Sequence, residues 1–477
     1  MVGPRVNRRL LAALITGLSL VVAAAVPGAG APPDGGGPPT LLAGADARSI
    51  VPMRDGEVDL TNVYMGGFGL GPYRVFDPDY EPITYVGENR PARDVHPLGI
   101  RVQSMAFGSP AGDVVVVQSL DLQGYFIQFK ECPCGVASIQ ELFEAQTGID
   151  GTHLLVHSTH QHAGPNTLGH QGGVPRWYLE QVRDTAVASA VQAVAELEPA
   201  AVVTGSLHRP QYNQHRRETY ESVADPMLVY LHATAAADRG RAIGTLVNYS
   251  GHPTVLGSDN QTIHPDYPGP LVRAIERQLG GVGVFLNGGV GNTSVRAPSA
   301  PDDFERAHRL GEALALEVVE EVARDPRPVL GDTVAAAVLR MEHPITNPVL
   351  TAGNTLNVYM RSEEYLTVSA EPLPYPTGAF PLRMVTTVGG FRVGDALVLW
   401  GPGEIFSAIT ISARNQTSWA SGTLVAGLGN DHAGYIMQNH EYKVMQAQEY
   451  EETQSIDPWV GDHVIDLMLE AAATLQG

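Results

Sequence analysis

Three histidines fall within six residues at His157, His160 and His162, directly after the apolar run His153–Val156 and before Ala163-Gly164-Pro165. Imidazole is the commonest metal ligand among side chains. The run reads as the end of a buried strand, and the Gly-Pro step as the turn that stops it. If the strand continues, His160 and His162 face the same way. If the backbone turns there, only one of them need point at a shared ion. A site therefore needs further donors from elsewhere in the chain.

Other apolar runs also end in polar or Gly/Pro-rich turns. Ala242–Tyr249 leads into Ser250-Gly251-His252-Pro253, and Val282–Leu286 into Gly288-Gly289-Val290-Gly291-Asn292-Thr293-Ser294. Phe391–Trp400 leads into Gly401-Pro402-Gly403-Glu404, and Thr423–Leu428 into Asn430-Asp431-His432-Ala433-Gly434-Tyr435. Taken singly, His252 is as well read as a turn residue, Ser294 as a helix N-cap, Glu404 as a first-turn charge and Tyr435 as core. Gathered on one edge of a sheet, they form a nitrogen and oxygen donor set of the kind zinc accepts, with a hydroxyl beside it.

The elements that must position these residues alternate. Strand patterns at 113–120, 153–158, 201–205, 227–232, 242–249 and 282–286 are interleaved with helical patterns at 137–145, 178–197, 268–279 and 304–322. Asp266 stands as an N-cap candidate for the third of these helices. This predicts an α/β fold with a mixed, largely parallel sheet flanked by helices and a site at the strand C-terminal ends. From Thr333 to Met384 prolines become frequent, which predicts an inserted irregular or antiparallel portion within the same domain. A helix over 406–415, and another over 462–475, are expected beyond it.

Arg5, Arg8 and Arg9 precede the apolar stretch Leu10–Val26 and small residues, so residues 1–31 read as a signal peptide for secretion. Residues 32–50, rich in Pro, Gly and Ala, read as a linker, and 51–477 as the catalytic domain. The two cysteines, Cys132 and Cys134, form either a local disulfide or two thiols. A net charge of −21 over 477 residues excludes nucleic acid as the main partner, because phosphate backbones recruit Lys and Arg. It does not exclude a lipid held by apolar contacts.

In sequence order, the motifs resemble those of the neutral/alkaline non-lysosomal ceramidases. The family's Thr-His-Thr-His-Ser-Gly-Pro stands here as Thr159-His160-Gln161-His162-Ala163-Gly164-Pro165. His252-Pro253-Thr254, Gly291-Asn292-Thr293-Ser294, Pro402-Gly403-Glu404, Tyr435-Ile436 and Gln448-Glu449-Tyr450-Glu451 follow in the family's order. The chain departs at Ala163 and Val295, where the family has Ser and Pro. It ends soon after the last motif, so no C-terminal immunoglobulin-like domain is expected.

The resemblance implies a Zn2+ held by His160, His252, Glu404 and Tyr435, with His162 beside it and Ser294 as the catalytic hydroxyl. It also implies an active-site arginine, taken as Arg216, with Arg209 and Arg217 as the neighbouring choices. The implied activity is hydrolysis of the N-acyl amide of ceramide or a related lipid, which entails transient contact with a membrane surface. The alternatives are another amide or ester substrate, or a secreted binding protein stabilised by its metal. A two-metal His-x-His-x-Asp-His hydrolase is disfavoured, since Ala163-Gly164 follow His162.

Overall fold

The computed structural model describes residues 41–68, 90–169, 174–218, 222–238, 240–348, 350, 361–368, 382–419, 421–443 and 449–476, with short strands at 74–75 and 84–85. Residues 1–31, expected to be a signal peptide, and residues 32–40 of the expected linker lie outside the described residues. No described helix is long and apolar enough to cross a membrane.

Four layers stack in the order helices, sheet, sheet, helices. The larger sheet runs Val282–Asn287, Ala242–Tyr249, Met227–Ala235, Glu198–His208, Leu41–Ser49, Arg101–Gly108, Val114–Leu120, Leu154–Ser158. Helices Val136–Thr147, Arg176–Ala195, Pro268–Leu279 and Asp303–Arg324 bury one face with side chains such as Phe143, Leu179, Leu271 and Leu314. The other face, with Phe107, Val117, Leu231 and Leu246, packs on Phe391, Val398 and Trp400 of a second sheet. That sheet runs Val334–Pro344, Leu382–Val393, Ala396–Trp400, Thr423–Ala426, with Leu366–Val368 beside Leu382–Val393. Helices Ser407–Gln416 and Val460–Gln476 cover its outer face.

The large sheet is mixed and helix-flanked as expected, but it is not largely parallel. Its five central pairings are antiparallel, and only the two outermost, Ala242–Tyr249 with Val282–Asn287 and Val114–Leu120 with Leu154–Ser158, are parallel. Connection length decides this. Short loops join Arg101–Gly108 to Val114–Leu120 and Met227–Ala235 to Ala242–Tyr249, whereas each parallel step carries a crossover helix, Val136–Thr147 or Pro268–Leu279.

Other expectations are corrected. Residues 41–49, assigned to the linker, form a central strand whose small residues let a helix approach: a Cβ on Gly44 would meet the Ala193 carbonyl oxygen at 2.2 Å. The segment 333–384 is no insertion where it is described, since Val334–Pro344 begins the second sheet. The run 391–400 is a hairpin, turning at Gly394 (φ +59°) between Leu382–Val393 and Ala396–Trp400. Tyr267, not Asp266, occupies the N-cap before Pro268 and Pro270, which lack N–H groups to satisfy. Asp266 instead accepts from the backbone N–H of Leu256 and Tyr267. Cys132 and Cys134 are joined as a disulfide.

Candidate metal centre and its pocket

The strands in parallel pairs are the ones that deliver candidate site residues. Leu154–Ser158 leads to His160 and His162, Ala242–Tyr249 to His252, and Val282–Asn287 to Ser294. In the second sheet the parallel pair Ala396–Trp400 and Thr423–Ala426 leads to Glu404 and Tyr435. Parallel neighbours release their chains at one common edge. The edges of the two sheets are tied together by Asn430 N–H to the Val156 carbonyl (2.7 Å), Gly427 N–H to Asn287 (3.0 Å) and Gly291 N–H to Ile405 (3.0 Å).

At His160 the backbone leaves the strand in the left-handed region (φ +65°), which costs a non-glycine residue energy. The turn brings His160 and His162 together rather than apart. Nε2 of His160 lies 3.1 Å from Nε2 of His252 and 3.3 Å from that of His162, and the last two are 3.1 Å apart. All three rings are buried. Donors about 2.0–2.1 Å from a tetrahedral zinc stand roughly 3.3 Å from one another.

The second nitrogen of each ring shows which tautomer the site needs. His160 Nδ1 donates to the Gln123 carbonyl (2.6 Å), and His252 Nδ1 donates to that of Val290 (3.1 Å). Both rings therefore present an Nε2 lone pair. His162 Nδ1 is buried without a partner. Glu404 Oε2 lies 3.2 Å from His160 Nε2 and 3.8 Å from His252 Nε2, yet has no hydrogen-bond partner. Lone pairs converging in this way lack only a cation, so the donor set fits a divalent metal ion. His160, His162 and His252 form one group able to hold it, and His160, Glu404 and His432 form another.

Glu404 and Tyr435 are register partners in the short parallel pair Glu404–Ile405 and Tyr435–Ile436, which sets the tyrosine beside the carboxylate. Arg216 completes the cluster. Its Nη2 donates to Tyr435 Oη (2.8 Å) and to the Gly291 carbonyl (2.9 Å), its Nε to Glu451 (3.0 Å), and Nη1 lies 3.3 Å from His252 Nδ1. Burial works against the guanidinium charge, but Tyr435, Glu451 and Glu404 together raise its pKa above the usual arginine value. Burial also favours a neutral Glu404. The surrounding histidines prevail and hold its carboxyl well below the usual range. Burial pushes Tyr435 well above the usual phenol value, with Glu404 adding to it and Arg216 opposing it. Burial, then His252 and His160, holds His162 well below the usual imidazole value.

Ser294 lies on the strand Thr293–Val295, bridged to His252 through the backbone and paired opposite Gln214, two residues from Arg216. A pocket of about 810 Å³, open mouth included, lies over this cluster. Its polar floor includes His162, Glu404, His432 and Tyr435, and its walls include Phe126, Leu168, Ile345, Met384 and Ile456.

No family model and no curated protein matches the sequence. Solved structures do match the fold, among them two ceramidases. One is a neutral ceramidase from Pseudomonas aeruginosa, with TM-score 0.66 and 19% identity over 92% of this chain and 74% of that one. The other is a ceramidase complexed with C2, with TM-score 0.68 and 18% identity over 92% and 75%. The chain has the neutral ceramidase fold. Among the described residues there is no immunoglobulin-like sandwich.

Within this ceramidase fold the sequence candidates separate clearly. Of the three arginines, Arg216 alone reaches the histidine cluster. Arg217 is paired with Glu452 behind Phe406, and Arg209 pairs with Glu317 on the helix Asp303–Arg324. His157 is structural: its Nε2 accepts from Asn287 N–H (3.1 Å), and burial drives its pKa down to about 3. Two contributors carry no signal of a role in the sequence. The sequence presents His432 only as part of a turn, and Gln123 acts through a backbone carbonyl that any residue would supply. Glu451, the last residue of the Gln448-Glu449-Tyr450-Glu451 motif, accepts from Arg216 Nε.

Proposed function

We propose that the chain is a secreted, zinc-dependent amidohydrolase that cleaves the N-acyl amide of ceramide or a related N-acyl lipid. The observation that carries this reading is the convergence of three imidazole Nε2 atoms and the orphaned Glu404 Oε2 beneath an apolar-walled pocket. The neutral ceramidase fold supports it. His160, His252, Glu404 and Tyr435 would hold the ion. When bound, zinc polarises the amide carbonyl and lowers the pKa of bound water from roughly 16 to about 7.

The chain's own residues supply the rest. The apolar wall takes the acyl chain and excludes water. His162, kept neutral by burial and with a free Nδ1, accepts a proton and returns it to the leaving amine. Arg216 offsets the charge that Tyr435 would carry as a ligand. Ser294 supplies a hydroxyl, either as attacking group or as a donor to the carbonyl oxygen.

The test is a panel of ceramide, short N-acyl amines and N-acyl amino acids, assayed with a chelator and after zinc is restored. Chelator-sensitive release of fatty acid from the lipid substrates is expected. A zinc-loaded protein that cleaves none of them rejects the reading. Export is tested by assaying for the protein outside the cell and sequencing its N-terminus: absence from the outside rejects secretion, and retention of residues 1–31 rejects cleavage of a signal peptide.

A further inference from the structure

His432 has no part in the donor set implied by the resemblance, yet it is built into the site. Its Nε2 is buried without a hydrogen-bond partner and stands 3.5 Å from Glu404 Oε1, a few tenths of an ångström beyond the usual N–H···O range. The other carboxylate oxygen, Oε2, faces His160 and His252. Glu404 thus has His432 beside one oxygen and two histidines, His160 and His252, beside the other. His160 can serve one ion only, because its Nδ1 is already committed to the Gln123 carbonyl. The two candidate donor groups, which share His160, therefore describe one centre rather than two.

The placement of His432 is supported from three directions. Its ring lies face to face with that of His160, at 5.7 Å and 28°. Gly124 leaves the space it occupies, since a Cβ there would meet His432 Cδ2 at 2.5 Å. The backbone N–H of His432 donates to Asp431 Oδ1 (2.9 Å), and that buried carboxylate is gripped by Arg361 (2.5 and 2.6 Å) and by Ile127 N–H (3.1 Å). One turn, Gln123-Gly124, thus both orients His160 and makes room for His432.

We propose that His432 is a positioning residue for the metal centre: its Nε2–H holds Glu404 Oε1 so that Oε2 is presented to the ion. This rests on the metal-binding reading above. Groups that orient a ligating side chain typically carry about 10–100-fold in metal affinity.

The experiment measures zinc affinity of the apo full-length protein by competition with a chromophoric chelator, for wild type, His432→Leu and His432→Gln. Circular dichroism and melting of each apo variant report the fold. Zinc binding about 10–100-fold weaker in His432→Leu is expected, with most of it restored in His432→Gln, which keeps a donor of similar reach. If the leucine variant does not fold, His432→Met makes the same comparison. Equal zinc affinity in wild type and the apolar variant overturns the proposal and leaves the metal reading standing. A wild-type protein that binds no zinc overturns both.

Discussion

Glu404 Oε2 and His160 Nε2 lie 3.2 Å apart, and with the neutral His160 ring donating through Nδ1 to the Gln123 carbonyl, neither has a hydrogen to offer the other. Two facing acceptors in a buried site are reconciled by a shared cation. Zinc should therefore stabilise the folded protein by mass action, by about 4 kcal/mol at a free concentration some 1,000 times its Kd. Thermal melts with zinc and with chelator should differ by several degrees in wild type and coincide in His252→Ala. A wild-type melt indifferent to chelation would sink the metal site.

The ring partners divide the histidines by role. His160 and His252 are fixed by backbone carbonyls, whereas His162 Nδ1 is free. His162→Ala should keep zinc within a few-fold while turnover falls about 10²-fold or more. Loss of zinc from this variant, measured by elemental analysis, would make His162 a ligand instead.

Arg216 and Arg217 are adjacent in sequence and opposite in expected phenotype. Arg216→Ala should cost roughly 10²–10³ in kcat, because it removes the donor to Tyr435. Arg217→Ala leaves the buried Glu452 unpaired and should cost about 3–5 kcal/mol of stability, with kcat per folded molecule little changed. Urea melts and steady-state kinetics on both variants separate the two; matching phenotypes would contradict the assignment.

Ser294→Ala should lower kcat with zinc content unchanged. If Ser294 attacks, mass spectrometry of quenched wild-type protein should find the acyl group on the peptide carrying Ser294. Unchanged turnover in Ser294→Ala rejects both of its proposed roles.

Asp266 is fully buried, and burial pushes its carboxyl up to about 7 despite the N–H groups of Leu256 and Tyr267 that favour its charge. Between the unfolded value of 3.8 and about 7 the folded chain holds a proton that the unfolded chain has released. Stability contributed by this group therefore falls as pH rises through that window. Asp266→Asn, which tolerates the positive φ, should remove this slope. A pH-independent difference between the two proteins counts against the assignment.

The candidate donors that the structure brings together were legible in the sequence because each sits just past an apolar run, in a turn rich in Gly or Pro. The strand directions were not. Every residue of Arg101–Gly108 is buried, because both faces of its sheet are covered, so the in-out alternation that marks an antiparallel strand is missing. The strand Leu41–Ser49 was hidden by the same packing, its Ala and Gly residues reading as linker when they are small to admit the helix carrying Ala193. His432 has no sequence spacing that announces it, since its partner Glu404 comes from a different strand end.

The order in which the sheets contribute donors also matters during synthesis. His160, His162 and His252 leave the ribosome with the first sheet, but Glu404 and Tyr435 follow only after most of the second. A chain cut short before residue 404 carries every strand of the first sheet but lacks Glu404 and Tyr435, two of the four donors proposed for the ion. On the proposed reading, activity would then report that both sheets are present, because neither supplies the four donors alone.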